Sequence, residues 1–153
     1  MPLFRQPKII VLGASGVRAN HTGTTSKTTV ASIIVPGGMM GLHGRIRVSA
    51  LWTNNNSVGS KTVHIDFGGT SWLGSANTTQ TTQNQMIVIA NRGLANSQVG
   101  FGGLSGSFGT SGAAPGTSAI DTTVDQTVTL AVTLASGADN AAIENYLVEL
   151  IRP

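Results

Sequence analysis

The chain has 153 residues, no cysteine and a formal net charge of +3. This length suits a single domain, and the lack of cysteine excludes disulfides, thiolate zinc sites and thiol nucleophiles. Only 10% of the residues are charged, far below the roughly one quarter usual in soluble domains, so hydroxyl and amide groups must keep the surface hydrated.

Neither a membrane span nor a secretory signal is expected. No apolar run approaches the roughly 20 residues that cross a bilayer. The run Ile9 to Leu12 follows two basic residues, but it is shorter than the apolar stretch of a signal peptide. The sequence therefore predicts no membrane partner.

The glycine spacing of the N-terminal stretch KIIVLGASGVRANHTG is similar to that of a nucleotide-binding turn. Gly13, Gly16 and Ala19 follow the spacing of a loosened dinucleotide fingerprint. Such a turn leads into a helix and is followed about 20 positions later by an acidic residue. Here the residues after Gly16 are poor helix formers, and the first acidic residue of the chain is Asp66. A nucleotide site is therefore not expected.

We expect this stretch to be an extended N-terminal arm, residues 1–26, that precedes a single β-sandwich domain over residues 27–153. Its glycines permit backbone turns and close approach to another chain. The arm is predicted to contact a neighbouring subunit.

Alternation of apolar and polar residues dominates the middle of the chain. The segments GRIRVSALWT and KTVHIDF both repeat with a period of two, and NNNSVGS between them is rich in turn formers. They predict a β-hairpin with Trp52 in the core. The β-branched runs TTVASIIVP and QMIVIAN predict strands with both faces covered, one by the core and the other by a second sheet or a subunit.

Candidate charged sites in the hairpin are weak. His43, Arg45 and Arg47 alternate on one side of a strand, but three residues make a small patch, so a solvated strand face is favoured over phosphate contact and no nucleic-acid partner is expected. His64 and Asp66 share a strand face, and His43 on an adjacent strand would complete a metal set. An ordinary solvent face is favoured there too.

Two segments do not read as strands. Thr78 to Gln85 is a polar low-complexity tract, and Gly100 to Gly116 is glycine-rich. The second is longer than most connections that have no binding role. Its spaced apolar residues are therefore expected to pack against a neighbouring subunit, and a surface loop is the alternative. Trp72, between the hairpin and the polar tract, is left undecided between core packing and stacking on a sugar.

Strand patterns return near the C-terminus. QTVTLAVTLAS is the cleanest alternating segment, and ADNAAIENYLVELIRP fits either a helix or a strand. The strand is favoured because a turn-forming sequence joins it to the preceding strand. Asp121 and Asp125 are expected in turn or strand-end roles rather than in a calcium site.

Eight to ten short strands separated by turns predict an all-β protein, with a jelly-roll-like two-sheet antiparallel sandwich as the preferred architecture. The six acidic residues and three histidines are dispersed and no nucleophile elbow occurs. The sequence predicts no enzyme activity, no cofactor and no metal.

Three long stretches, GRIRVSALWTNNNSVGSKTVHIDFGGTSW, MIVIANRGLANSQVGF and AIDTTVDQTVTLAVTLASGADNAAIENYLVELI, resemble small structural proteins of tailed bacteriophages. That group includes capsid decoration proteins and tail or fibre components. The resemblance implies a jelly-roll-like subunit that assembles as a trimer in the host cytoplasm and attaches to the virion, on the capsid surface or the tail. It carries over no functional residue.

These observations favour a non-enzymatic capsid decoration or cement protein that binds other virion proteins such as the major capsid protein. The alternative is a glycan-recognising tail-fibre or receptor-binding module in which Trp72 contacts the sugar. The predicted subunit or capsid contacts are the apolar side chains of the arm and of the glycine-rich segment, namely Ile9, Ile10, Val11, Phe101, Leu104 and Phe108.

Overall fold

The computed structural model describes residues 6–101 and 114–153, and within these ranges every regular element is a β-strand. Leu104 and Phe108 lie outside the described residues. The strands are β1 (Lys8–Ser15), β2 (Ala19–Thr22), β3 (Thr28–Val35), β4 (Arg45–Asn54), β5 (Lys61–Phe67), β6 (Thr70–Asn77), β7 (Thr82–Asn91), β8 (Gln98–Gly100), β9 (Gly116–Ser118), β10 (Gln126–Leu134) and β11 (Asn140–Arg152).

The strands form two antiparallel sheets. The seven-stranded sheet has the order β1-β11-β4-β7-β8-β9, with β2 also paired to β11, and the four-stranded sheet has the order β3-β10-β5-β6. The chain crosses between the sheets on going from β2 to β3, β3 to β4, β4 to β5, β6 to β7, β9 to β10 and β10 to β11. This crossing pattern is that of a jelly roll. The predicted all-β, two-sheet antiparallel sandwich is confirmed.

Alternation along the strands builds the core between the sheets. Val48 and Trp52 of β4 and Val63 and Ile65 of β5 are fully buried, since successive side chains of a strand point to opposite faces. The placement of Trp52 in the core is confirmed. The predicted hairpin is wrong, because β4 lies in the seven-stranded sheet and β5 in the four-stranded sheet. The apolar side chains of both sheets meet in one continuous cluster.

The C-terminal segment is a strand, as predicted over a helix. β11 pairs with β4 along one edge and with β1 and β2 along the other. Two partners satisfy its backbone groups on both sides. This gain in hydrogen bonding outweighs the helical spacing of Ile143, Tyr146, Leu147 and Leu150.

One expectation for β7 is wrong. The polar tract does not end before the strand, because Thr82 to Gln85 pair in register with β4 and form the first part of β7. The outer face of the QMIVIAN run is not covered within this chain, since Met86 is 46% exposed, and its cover by a subunit stays a prediction. Register with β4 directs Gln83 and Gln85 inward, where the Ser75 hydroxyl donates to Oε1 of Gln83 at 3.2 Å.

The described part of the predicted N-terminal arm is extended and lies at the edge of the seven-stranded sheet. β1 and β2 both pair with β11, and a β-bulge between Val11 and Gly13 interrupts β1. A Cβ on Gly13 would lie 2.9 Å from Cγ1 of Ile33 in β3, so the bare glycine lets the two sheets close on this side. The boundary at residues 26 and 27 stays a prediction.

Candidate interaction surface

The outer face of the seven-stranded sheet carries apolar side chains on five strands, in rows that the strand register sets. The polar outer positions of β4, Arg45, Arg47 and Ser49, lie between the apolar residues of β11 and those of β7. Strand spacings of about 4.8 Å and rises of about 3.3 Å per residue give the whole area, polar positions included, a size on the order of 400–500 Å². We call it the apolar face; its members are Ile9, Val11, Leu51, Met86, Val88, Ala90, Val99, Leu147 and Ile151.

The exposed positions of the apolar face include two predicted contact residues. Ile9 is 55% exposed and Val11 is 58% exposed, so both are free to make the predicted subunit or capsid contact. Ile10 points the other way and packs against the core, and its contact role stays a prediction. Phe101 is exposed at the end of β8.

One ion pair sits in the middle of the apolar face. The Nε of Arg47 donates to Oε2 of Glu149 at 2.7 Å across β4 and β11. This hydrogen bond and the attraction of the carboxylate raise the pKa of Arg47 above its ordinary value. The two charges of the pair cancel, whereas Arg45, the preceding outer residue of β4, is exposed.

Trp72 does not offer a sugar-stacking surface. A register shift in the pairing of β5 with β6 makes Trp72 the extra residue of a β-bulge, and both Trp72 and Leu73 then turn inward. The ring is only 5% exposed. It packs so close to β8 that a Cβ on Gly100 would lie 2.8 Å from its Cζ3. The glycan-contact prediction for Trp72 is therefore at odds with the structure.

The basic residues predicted on one strand face separate. Arg45 and Arg47 share the outer side of β4, and Arg47 is engaged by Glu149. His43 precedes β4 and lines a surface hollow of about 130 Å³ with Arg152. The structure thus gives no continuous basic stripe at these three positions.

The three residues considered as metal ligands, His43, His64 and Asp66, do not come together. His64 Nε2 lies 3.0 Å from the Thr133 hydroxyl, and Asp66 accepts from Lys27 Nζ at 2.5 Å. Burial, together with the charge of Lys27, lowers the pKa of His64. Within residues 6–101 and 114–153, no three histidine or carboxylate side chains come together as metal ligands.

Asp121 and Asp125 serve turns, as predicted. Oδ1 of Asp121 accepts from the backbone nitrogen and the hydroxyl of Thr123, at 2.9 Å and 2.6 Å. These hydrogen bonds lower the pKa of Asp121. Oδ1 of Asp125 accepts from the backbone nitrogen of Gly37 at 2.8 Å. Both carboxylates thus hold connections at one end of the sandwich.

The glycine turn of the N-terminal stretch continues a sheet. Gly13 lies inside β1, and Ala19 begins β2. A dinucleotide site needs the N-terminus of a helix directly after the turn, whereas here the chain returns to pair with β11. Gly13 therefore acts in sheet packing.

Sequence reasoning missed a buried polar cluster at the end of the sandwich where β4 passes into β5. Lys61 is fully buried, and its Nζ donates to the Ser57 hydroxyl at 2.8 Å. That hydroxyl donates in turn to Oδ1 of Asp139 at 2.5 Å, and Asn55 Nδ2 donates to the same oxygen at 2.9 Å. These bonds lower the pKa of Asp139.

A lysine at the start of an alternating strand is expected to be solvent-exposed. The one sequence signal for its burial is that Lys61 lies an even number of residues from Val63 and Ile65, on the inward side of β5. The cluster ties the β4–β5 connection to the turn before β11, and we assign it a structural role.

No described helix is long and apolar enough to span a membrane.

Comparisons with known proteins add little. No family model and no curated protein matches the sequence. A chain in the structure of the Gx strain of infectious bursal disease virus is 11% identical, with a TM-score of 0.30. The match covers 96% of this chain and 40% of the viral chain, so this chain spans less than half of that chain's length.

This similarity to a viral protein is weak and supports neither a shared family nor a shared function. None of these comparisons supports the tailed-bacteriophage origin implied by the resemblance. That origin stays a prediction.

Proposed function

We propose that the protein is a non-enzymatic structural subunit of a virion, a capsid decoration protein, whose copies associate through the apolar face. The single observation that carries this proposal is the apolar outer side of a sheet whose other side already packs the core. Apolar patches of several hundred Å² mark protein interaction sites.

A second copy of this chain is the proposed occupant of the apolar face. Arg47 and Glu149 neutralise each other there, so this pair can be buried without leaving either charge unpaired. Standard interfaces bury about 800 Å² per partner, so the face supplies roughly half of one. The predicted trimer is the proposed assembly, in which the face of each copy meets a different surface of the next.

The resemblance to tailed-bacteriophage structural proteins supports a place on the virion. Attachment to the major capsid protein would follow assembly of the subunit. The tail-fibre alternative, a glycan-recognising module, loses support because the Trp72 ring is buried and part of its polar loop belongs to β7.

The test places one charge on each outer face. Met86→Asp puts a carboxylate on the apolar face at an exposed position, and Thr129→Asp is the matched control on the outer side of β10. We expect trimers of the wild type and of Thr129→Asp by light scattering, and monomers with an unchanged circular dichroism spectrum for Met86→Asp. A wild-type protein that stays monomeric would contradict association of copies.

Attachment is tested separately by cosedimentation with capsids assembled without this protein. The wild type should bind them and raise their resistance to heat. Binding by Met86→Asp equal to that of the wild type would show that attachment does not need the assembled subunit. Failure of the wild type to bind would contradict the decoration role.

A further inference from the structure

The strands β1 and β2 are held to the molecule mainly through one neighbour. Both pair with β11 and with no other described strand, and they lie at the edge of the seven-stranded sheet. Edge strands leave one row of backbone groups unpaired. The segment 8–22 is therefore a unit whose hydrogen-bonding partner is a single strand.

The polar contacts that fix segment 8–22 go to the same place. The Thr22 hydroxyl donates to the backbone oxygen of Asp139 at 2.8 Å. Arg18 Nε donates to Oε1 of Glu144 at 2.8 Å. Directly after β2, the Gly23 nitrogen donates to the Gly137 oxygen at 3.1 Å. Every one of these acceptors lies on β11 or on the turn before it, more than 100 residues away in sequence.

The connection after β2 leaves room for a different path. Residues 23–27 are exposed along their whole length. They cross from one sheet to the other, a distance of about 10 Å, whereas five extended residues reach about 17 Å. The connection is thus longer than the crossing requires, and it makes no strand pairing of its own.

We propose that segment 8–22 is exchanged between copies of this chain, so that β1 and β2 of one copy complete the sheet of the next copy by pairing with its β11. An exchanged segment makes the same contacts that it makes within one chain, which is why such exchange is a low-cost route to oligomers. The occupant of each β11 edge is then a second copy.

This inference rests on the proposed function, because exchange requires association of copies. It also extends the proposed interface, since β1 contributes Ile9 and Val11 to the apolar face. Exchange would bury the connection 23–27 between subunits and link neighbours through backbone pairing as well as apolar contact.

A disulfide placed across β1 and β11 distinguishes exchange from closed subunits. Ile9 and Ile151 are directly opposed, and opposed residues have Cα separations of about 4.5–5.5 Å, within the range a disulfide spans. The chain has no cysteine of its own. In the oxidised double variant Ile9→Cys/Ile151→Cys we expect most chains to run as covalent trimers on a denaturing, non-reducing gel.

The matched control is Thr62→Cys/Ala76→Cys, an opposed pair in β5 and β6 that exchange of segment 8–22 never separates. It should give monomers on the same gel. A second pair on the exchanged edge, Asn20→Cys/Ala142→Cys, removes no member of the apolar face and replaces the first if that one fails to fold or to assemble.

Each remaining outcome overturns the inference in a distinguishable way. A trimer by light scattering that runs as monomers on the gel keeps the proposed function and rules out exchange. A protein that is monomeric by light scattering, with the disulfide formed within one chain, contradicts both.

Discussion

The two outer faces of the sandwich differ in chemistry although both are built from alternating strands. The seven-stranded sheet presents the apolar face. The four-stranded sheet presents hydroxyl groups from β5 and β10 together with one histidine, one aspartate and the exposed Ile34 of β3. We call the second surface the threonine face; its members are Thr62, His64, Asp66, Thr127, Thr129 and Thr133.

The contrast shows how a chain with few charged residues divides its surface. Threonine is β-branched, so it suits a strand and still offers a hydroxyl to water. A face of threonines therefore stays hydrated without charge. Val88 and Ile151 satisfy the same strand preference but offer water nothing, so their face is the one suited to a protein partner.

We expect the largest loss of stability from a substitution at Gly100. This residue lies where the seven-stranded sheet packs against Trp72 of the four-stranded sheet. A methyl group there would meet the Trp72 ring at 2.8 Å, and such overpacking costs about 1–3 kcal/mol. We expect Gly100→Ala to lower the free energy of unfolding by that amount in urea titrations. Gly16→Ala is the control, since a Cβ at Gly16 meets nothing within 4 Å; equal losses in the two variants would contradict close packing at Gly100.

A matched pair of ion pairs gives the next effect. Lys27–Asp66 lies beside the threonine face and Arg47–Glu149 on the apolar face, with similar side-chain exposure. Double-mutant cycles should give a coupling below about 1 kcal/mol for Lys27–Asp66, as for solvated pairs. The coupling for Arg47–Glu149 should be larger and should rise on assembly, when water is excluded. Equal couplings, unchanged by assembly, would refute the difference between the faces.

The smallest expected effect is the pH dependence of stability that His64 causes on the threonine face. Its folded-state pKa lies below the unfolded value of about 6.5, so the unfolded chain binds the proton first as the pH falls. Stability is therefore fully present above that value and declines as the pH drops toward the folded pKa. The loss should be under about 1 kcal/mol after allowing for solvent screening.

Unfolding free energies of the wild type and His64→Gln at neutral and mildly acidic pH measure this loss, which the variant should reduce. The strands of the apolar face carry no histidine among the described residues. Trimer content should therefore not follow the same pH dependence. If the trimer content declined with pH in parallel with stability, the independence of the two faces would be contradicted.

Sequence alone determined the strands with strong alternation and their inward residues. The apolar phases of β4, β5 and β10 predict Val48, Val63 and Leu130 in the core, where each is fully buried. The class of fold follows as well, since many short strands without helical periodicity require a sandwich or a barrel. Local periodicity suffices here because it reports directly which face of a strand is buried.

The tertiary structure alone decided which residues share a surface. Read by itself, the outer side of β4 is polar, with Arg45, Arg47 and Ser49, and the sequence predicted a solvated strand face. Only pairing with β7 and β11 places Met86, Val88 and Leu147 on the two sides of that polar row. Register and bulges between distant segments fix these neighbours, and such long-range pairing leaves no local periodic signal in the sequence.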